Sequence, residues 1–172
     1  IDKATVNINA HALHYGCGYF AGIRGYWNQP KSTLYIFRIK DHIKRFEQSG
    51  QILGLKPPPE LNQLESIITT LLRKNQLHQN TYVRPLVYTS DPVITKFDLS
   101  QLTTTLAVTT VPLGHYLNVS QGIKVMISSW KRQPSTSIPP RAKPTGIYLN
   151  TALTNTEAKK NGYDEAILLT QD

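Results

Sequence analysis

Lys143 and Tyr148 are the residues whose types and spacing point most directly to chemistry. They lie in the stretch 141–150, between a proline-rich loop and a predicted helix. Pro144 disfavours the helical conformation for Lys143, so the lysine should be extended, just ahead of a helix that Thr145 could cap. A lysine amine and a phenol held at this junction could serve a cofactor that carries a carbonyl group. A lone lysine, however, is most often an ordinary surface residue.

Two arginines are candidates for binding anions. Arg45 is predicted on a short helix that begins at Asp41, and its forked guanidinium suits a phosphate. Tyr82 and Arg84 are two residues apart in a predicted strand, so their side chains lie on one face, where together they suit a carboxylate. Each arginine could instead face solvent.

Aromatic residues accompany these charges. The group could line a pocket or form ordinary core, and it consists of Tyr15, Tyr19, Phe20 and Tyr116. Cys17 and His14 are close enough in sequence for a nucleophile pair, but nothing supports an oxyanion hole. A small buried cysteine is therefore the favoured interpretation of Cys17.

Composition argues against several classes of function. The formal charge is +8, but the positive residues are dispersed and not interleaved with aromatics, which disfavours nucleic-acid binding. Nucleotide-binding fingerprints are absent, and the histidines do not pair with carboxylates at metal-binding spacing. No apolar stretch is long enough to cross a membrane. A single cysteine rules out an internal disulfide and fits a reducing, cytoplasmic compartment.

Hydrophobic patterning predicts a mixed α/β chain. Strands are predicted at 19–26, 33–38, 81–88, 103–111, 122–130 and 163–170, and helices at 41–53, 60–76 and 145–161. The first two strands should form a hairpin. Pro85 should confine the third strand to a sheet edge or introduce a bulge. The strand–helix–strand unit after residue 120 is too small to bury a full core alone.

The sequence resembles the class IV aminotransferases, which are fold-type IV enzymes dependent on pyridoxal phosphate. Within them it is most similar to the branched-chain-amino-acid aminotransferases. The matching motifs follow one order along essentially the whole chain: His11–Gly16, Phe20–Arg24, Asp41–Arg45, Tyr82–Leu86, Ser128–Arg132, Ala142–Lys143, Tyr148–Asn150, Glu157–Ala158 and Gly162–Glu165. So many ordered matches make a chance likeness untenable.

This resemblance implies a role for each candidate residue. Lys143 would form the Schiff base with the cofactor aldehyde, Arg45 would bind the cofactor phosphate, and Tyr148 would hydrogen-bond the ring hydroxyl. An arginine at the position of Arg84 would help bind the side-chain carboxylate of glutamate, while aromatic walls receive Leu, Ile or Val. The residues expected to line the substrate pocket are Tyr15, Phe20, Tyr82, Arg84 and Tyr116.

The resemblance also implies an organisation and an activity. Family members are about twice this length by domain norms, so 1–116 would be the small domain, 117–121 a linker and 122–172 the incomplete start of a large domain. The expected reaction is transamination of branched-chain L-amino acids with 2-oxoglutarate by a homodimer or higher homo-oligomer. The 172-residue piece alone is expected to be inactive.

Two departures from the family pattern leave the substrate open. Ala21 stands where an acidic residue is common, and Leu113 stands where an aromatic is frequent. A D-amino-acid aminotransferase or an aminodeoxychorismate lyase on the same fold therefore stays an alternative. A non-catalytic fragment or interaction module is the alternative from a different class.

Overall fold

The computed structural model of the chain describes residues 3–114 and 122–171. The described residues up to Gly114, together with Arg141–Thr145, form one compact unit, and 122–140 with 146–171 form a second. The assignment of 1–116 and 122–172 to two domains stays a prediction. The expected linker, 117–121, lies outside the described residues.

The first unit is a five-stranded antiparallel sheet with helices packed against one face. Its strands are β1 Gly18–Phe20, β2 Ile23–Asn28, β3 Thr33–Ile36, β4 Thr81–Thr89 and β5 Thr104–Pro112. Its helices are α1 His11–Tyr15, α2 Ile39–Ile52 and α3 Leu64–Asn75, with 3₁₀ turns at Pro59–Gln63 and Leu99–Gln101. The predicted hairpin is confirmed, because β2 pairs antiparallel with β3.

β4 lies in the middle of the sheet, which makes the prediction of an edge strand wrong. It pairs with β5 on one side and with both β1 and β2 on the other. The carbonyl of Pro85 accepts the N–H of Ala21 at 3.0 Å, at the break between β1 and β2. In an antiparallel strand the N–H and C=O of one residue point to the same side. The N–H that Pro85 lacks would therefore have pointed at the same break between β1 and β2, where no paired strand residue needs it. The sheet therefore loses little pairing there.

Alternation along β4 separates the core from the opposite face. Odd-numbered residues of the strand are buried, and they include Val83 and Val87, which are fully inaccessible. They pack against α2 and α3 through Phe46, Leu64 and Ile68. Tyr82 and Arg84 lie on the other face, which confirms their predicted shared side.

The helix boundaries differ from the predicted ones. α2 begins at Ile39 rather than at Asp41, and Arg38 precedes it in the left-handed conformation with φ 49°. Asp41 lies in the first turn, where its carboxylate accepts the Arg38 Nε–H at 2.9 Å. The predicted helix at 60–76 is divided, because a 3₁₀ turn precedes α3. The first-turn position of Asp41 still suits the helix dipole.

The second unit is a parallel strand pair with one helix. Its elements are β6 Val125–Lys131, α4 Tyr148–Lys160 and β7 Glu165–Leu169. The carboxylate of Glu157 accepts the Ser128 hydroxyl and the Ser129 N–H, joining α4 to β6. Among the described residues, no helix is long and apolar enough to cross a membrane, and no group of three metal-ligating side chains occurs.

Candidate active site

Lys143 is held beside strand β1. The Phe20 N–H donates to the Lys143 carbonyl at 3.1 Å, and Pro144 forms an antiparallel bridge with Tyr19. The segment thus extends the sheet along the edge of β1 that β4 leaves open. This is the extended conformation that a following proline predicts for Lys143. The lysine therefore has a fixed backbone and a half-buried side chain.

Thr145 fastens the same segment. Its N–H donates to the Gly18 carbonyl at 2.8 Å, and its hydroxyl donates to the Gly16 carbonyl at 2.5 Å. The prediction that Thr145 caps helix α4 is wrong, because Ile147 precedes that helix without any side-chain cap. Since Gly16 ends α1, Thr145 ties the lysine segment to the helix that carries Tyr15.

Two cationic side chains contact the ring of Phe20. The Arg84 guanidinium carbon lies 4.3 Å from the ring centroid, and the Lys143 Nζ lies 5.4 Å from it. Both distances are within the range of a cation–π attraction. Arg84 Nη2 and Nε also donate to the Tyr82 hydroxyl at 2.9 and 3.3 Å. The sheet therefore gathers Lys143, Phe20, Tyr82 and Arg84 into one cluster.

Arg45 and Lys143 act on the same imidazole. Burial lowers the pKa of His42, and the positive charges of Arg45, Arg38 and Lys143 lower it further, against the opposing charge of Asp41. Arg45 lies one turn after His42 on α2, so the two side chains share a face of the helix. Converging positive charge around a half-buried residue is the environment that attracts an anion.

Tyr15 is fixed at the end of α1. Its hydroxyl donates to the Ile94 carbonyl, and its ring packs against the rings of His11 and Phe97, with centroids 4.7 and 5.0 Å away. Such aromatic contacts restrict the ring to one orientation. The side chain of Tyr15 therefore has a defined orientation at the end of α1.

His11 supports this helix and was not among the predicted functional residues. It is fully buried, and its Nδ1 lies 2.9 Å from the Thr89 hydroxyl oxygen. That hydroxyl donates its only proton to the Cys17 carbonyl at 3.0 Å, so His11 Nδ1 must be the donor to Thr89. His11 belongs to the His11–Gly16 motif, which marked it in the sequence. Its hydrogen-bond partner Thr89 lies 78 residues away, so the sequence could not predict this contact.

The sequence profile of the family described as amino-transferase class IV matches residues 18–172. The chain belongs to the class IV aminotransferases.

Individual relatives of this aminotransferase chain agree with the family match. A probable branched-chain-amino-acid aminotransferase of Aquifex aeolicus is 38% identical over 169 residues, which are 98% of this chain and 54% of the relative. The branched-chain aminotransferase of Thermoproteus uzoniensis, solved with norvaline, superposes with TM-score 0.91 at 38% identity, covering 99% of this chain and 56% of that one.

A further solved structure is the branched-chain amino acid aminotransferase of Thermobaculum terrenum in its PLP-bound holo-form. It superposes with TM-score 0.86 at 30% identity, covering 99% of this chain and 55% of that one. The predicted mixed α/β architecture of fold-type IV enzymes is thereby confirmed. The chain spans about half the length of the relatives it matches.

The other residues singled out in the sequence of this class IV aminotransferase chain are described one by one. Tyr148 is the first residue of α4 in the second unit. Tyr116 lies outside the described residues. Cys17 is half-buried, and burial raises the pKa of its thiol, which disfavours the thiolate that a nucleophile requires. Ala21 is buried at the break between β1 and β2.

Proposed function

We propose that the full-length protein containing this chain transaminates branched-chain L-amino acids, with 2-oxoglutarate as the amino acceptor and pyridoxal phosphate as cofactor. The observation that carries the proposal is the shared contact of Lys143 and Arg84 with the ring of Phe20. An amine, a guanidinium that suits a carboxylate and an apolar surface thus lie side by side, which supports the proposal. Family membership supports the same chemistry.

The donor set of the first unit fits the cofactor. Pyridoxal phosphate supplies an aldehyde that bonds to an amine and a conjugated ring that stabilises negative charge developing on the substrate. Lys143 offers the amine, and Arg45 offers a guanidinium that suits the phosphate. The positive charges of both residues lower the pKa of His42, which supports a location of Arg45 and Lys143 near the same side chain. Tyr148 as the partner of the ring hydroxyl stays a prediction from the resemblance.

Lys143 would also move the proton of the reaction. As a free amine, Nζ would accept the proton from the substrate Cα as a general base, and as the conjugate acid it would deliver that proton to the carbon of the cofactor's aldehyde group. The extended pairing with β1 fixes the lysine backbone, so only the side chain needs to move. Such restricted movement keeps the base within reach of the reacting carbon.

Arg84 and Phe20 would let one pocket accept two kinds of substrate. The guanidinium would bind the side-chain carboxylate of glutamate or 2-oxoglutarate, and the ring would contact the aliphatic chain of Leu, Ile or Val. Tyr82 and Phe20 already hold Arg84 in place, so little conformational entropy is lost on binding. Tyr15 would form another wall, as would Tyr116.

The test uses the full-length protein and borohydride trapping. Pyridoxal phosphate should produce a visible absorbance band, and reduction should fix the cofactor on Lys143, as read by peptide mapping. Lys143→Ala should lose the trapped adduct, whereas Lys44→Ala, which removes an exposed lysine on α2, should keep it. Failure to trap any lysine would refute the enzyme assignment, and trapping only elsewhere would refute the role of Lys143.

Substrate class is decided by comparing L-leucine with D-alanine, each with 2-oxoglutarate. Preferential turnover of L-leucine is expected. Preference for D-alanine would instead support a D-amino-acid aminotransferase, and pyruvate release from aminodeoxychorismate without amino transfer would support a lyase.

Assembly and location follow from the resemblance rather than from any contact in this chain. We infer a cytoplasmic homodimer or higher homo-oligomer. Sedimentation equilibrium of the full-length protein would measure the mass of the assembly, and a purely monomeric species would contradict this inference.

A further inference from the structure

Gly22 lies directly against the ring of Tyr82. A Cβ placed on Gly22 would be 2.6 Å from the Tyr82 hydroxyl oxygen, 2.8 Å from Cε2 and 3.0 Å from Cζ. These separations are shorter than van der Waals contact, so any side chain at position 22 must displace the ring. The displaced atoms are the far end of a side chain, so the ring can move without moving the backbone of the sheet.

Displacement of this ring has a specific consequence for Arg84. The Tyr82 hydroxyl accepts hydrogen bonds from both Nη2 and Nε of Arg84. The guanidinium carbon also lies 5.2 Å from the Tyr82 ring centroid and 4.3 Å from that of Phe20. Because Arg84 is exposed, these contacts are what hold its guanidinium over Phe20 rather than in solvent.

We propose that Gly22 is a positioning residue for the recognition of acidic substrates. Its missing side chain lets Tyr82 lie against the backbone between β1 and β2, and Tyr82 in turn directs Arg84 toward the substrate carboxylate. Apolar substrates do not use the guanidinium, so they do not depend on this contact. The inference rests on the proposed function, which makes Arg84 the carboxylate-binding residue.

The test compares two ligands in the full-length protein loaded with cofactor. Glutarate probes the site for a second carboxylate, and 4-methylpentanoate probes the apolar site, each by calorimetric titration. Gly22→Ala should weaken glutarate binding about tenfold, the usual effect of losing one charge-assisted hydrogen bond. Binding of 4-methylpentanoate should change by less than about threefold by the same scale.

A double-mutant cycle identifies the route of the effect. Tyr82→Phe removes the oxygen that accepts from Arg84, so it should weaken glutarate binding to a similar extent. The double variant should bind glutarate about as well as the weaker single variant, because both changes remove the same contact. Additive losses would show that Gly22 acts by a route other than Tyr82 and would overturn the proposal.

Gly25→Ala is the matched control. Gly25 is buried in β2, and its Cβ would meet the side-chain carbons of Leu34 at 3.2 to 3.3 Å, away from Arg84. The change should lower thermal stability at most modestly and leave the ratio of the two affinities unchanged. If Gly22→Ala weakens the binding of both ligands equally, or leaves the affinity for glutarate unchanged, the positioning role is overturned.

Arg84→Ala separates this inference from the function beneath it. If Arg84→Ala selectively weakens glutarate binding but Gly22→Ala does not, only the role of Gly22 is refuted. If Arg84→Ala does not weaken glutarate binding more than 4-methylpentanoate binding, the assignment of Arg84 as the carboxylate-binding residue is refuted as well.

Discussion

Gly50→Ala tests whether the core around the lysine segment is as tightly packed as the structure indicates. Gly50 lies in α2, and a Cβ there would be 2.6 Å from the Tyr19 hydroxyl oxygen and 2.9 Å from its Cζ. Tyr19 is almost fully buried, and its ring packs against that of Phe46 with centroids 4.7 Å apart, which restrains its movement. In an open helix the same change would instead stabilise the protein.

Two effects of opposite sign decide the outcome. Replacing glycine by alanine inside a helix contributes about 1 kcal/mol of stability. Overpacking a close-packed core costs about 1–3 kcal/mol. The short contact and the burial of Tyr19 put this site toward the upper end of that cost, so the net effect should be a loss of about 1–2 kcal/mol. Tyr19 also bridges Pro144, so the lysine segment should loosen with it.

The assay is thermal and urea unfolding of the full-length protein, together with its affinity for pyridoxal phosphate. Gly50→Ala should lower the melting temperature and weaken cofactor binding. In a Tyr19→Leu background the phenol is gone, and the same Gly50→Ala change should then be neutral or stabilising. A melting temperature that rises in Gly50→Ala alone would refute the packing argument. Gln48→Ala, an exposed position on α2, controls for helix propensity.

Further predictions concern the lysine and two perturbed acids. Lys143→Ala should abolish transamination while phosphate-dependent cofactor binding through Arg45 partly survives, as equilibrium dialysis would measure; retained turnover would contradict the assignment. Burial, with a smaller contribution from the charge of Glu47, raises the pKa of Tyr19 to about 12. The unfolded phenol ionises near pH 10, so the stability contributed by the neutral form is complete below that pH and is lost as pH rises toward 12. A difference absorbance titration against Tyr19→Phe should show a phenol that ionises late, and a normal titration would exclude the burial effect. Hydrogen bonds from Ser128 and Ser129 lower the pKa of Glu157, so its contribution is present above the unfolded pKa and is lost as pH falls through the folded value. Glu157→Gln should therefore flatten the acid limb of a stability profile, and an unchanged limb would argue against this role.

Local sequence rules were sufficient where the cause of a structure is local. Pro144 alone predicts the extended conformation of Lys143, because its ring disfavours the helical region for the preceding residue. Alternation alone places Tyr82 and Arg84 on one face of their strand. The ordered motifs were sufficient for the family, which the profile match over 18–172 bears out. The roles of Lys143 and Arg45 stay predictions.

Local rules failed where the partner of a group is distant in the chain. Pro85 suggests an edge strand, but β4 is central. Proline is tolerated there because the neighbouring strand is interrupted between β1 and β2 beside Pro85. Thr145 suggests a helix cap, but its hydroxyl donates to the Gly16 carbonyl 129 residues earlier.

The sequence by itself therefore determined which residues could do chemistry and the conformation of those segments whose cause is local, such as the extended backbone at Lys143. Only the tertiary structure decided which of them meet. It brings Lys143 and Arg84 to the ring of Phe20, and it gives Gly22 and Gly50 their reason for lacking a side chain. The physical reason is that spacing along a chain limits only local geometry, whereas close packing depends on which surfaces the fold brings together.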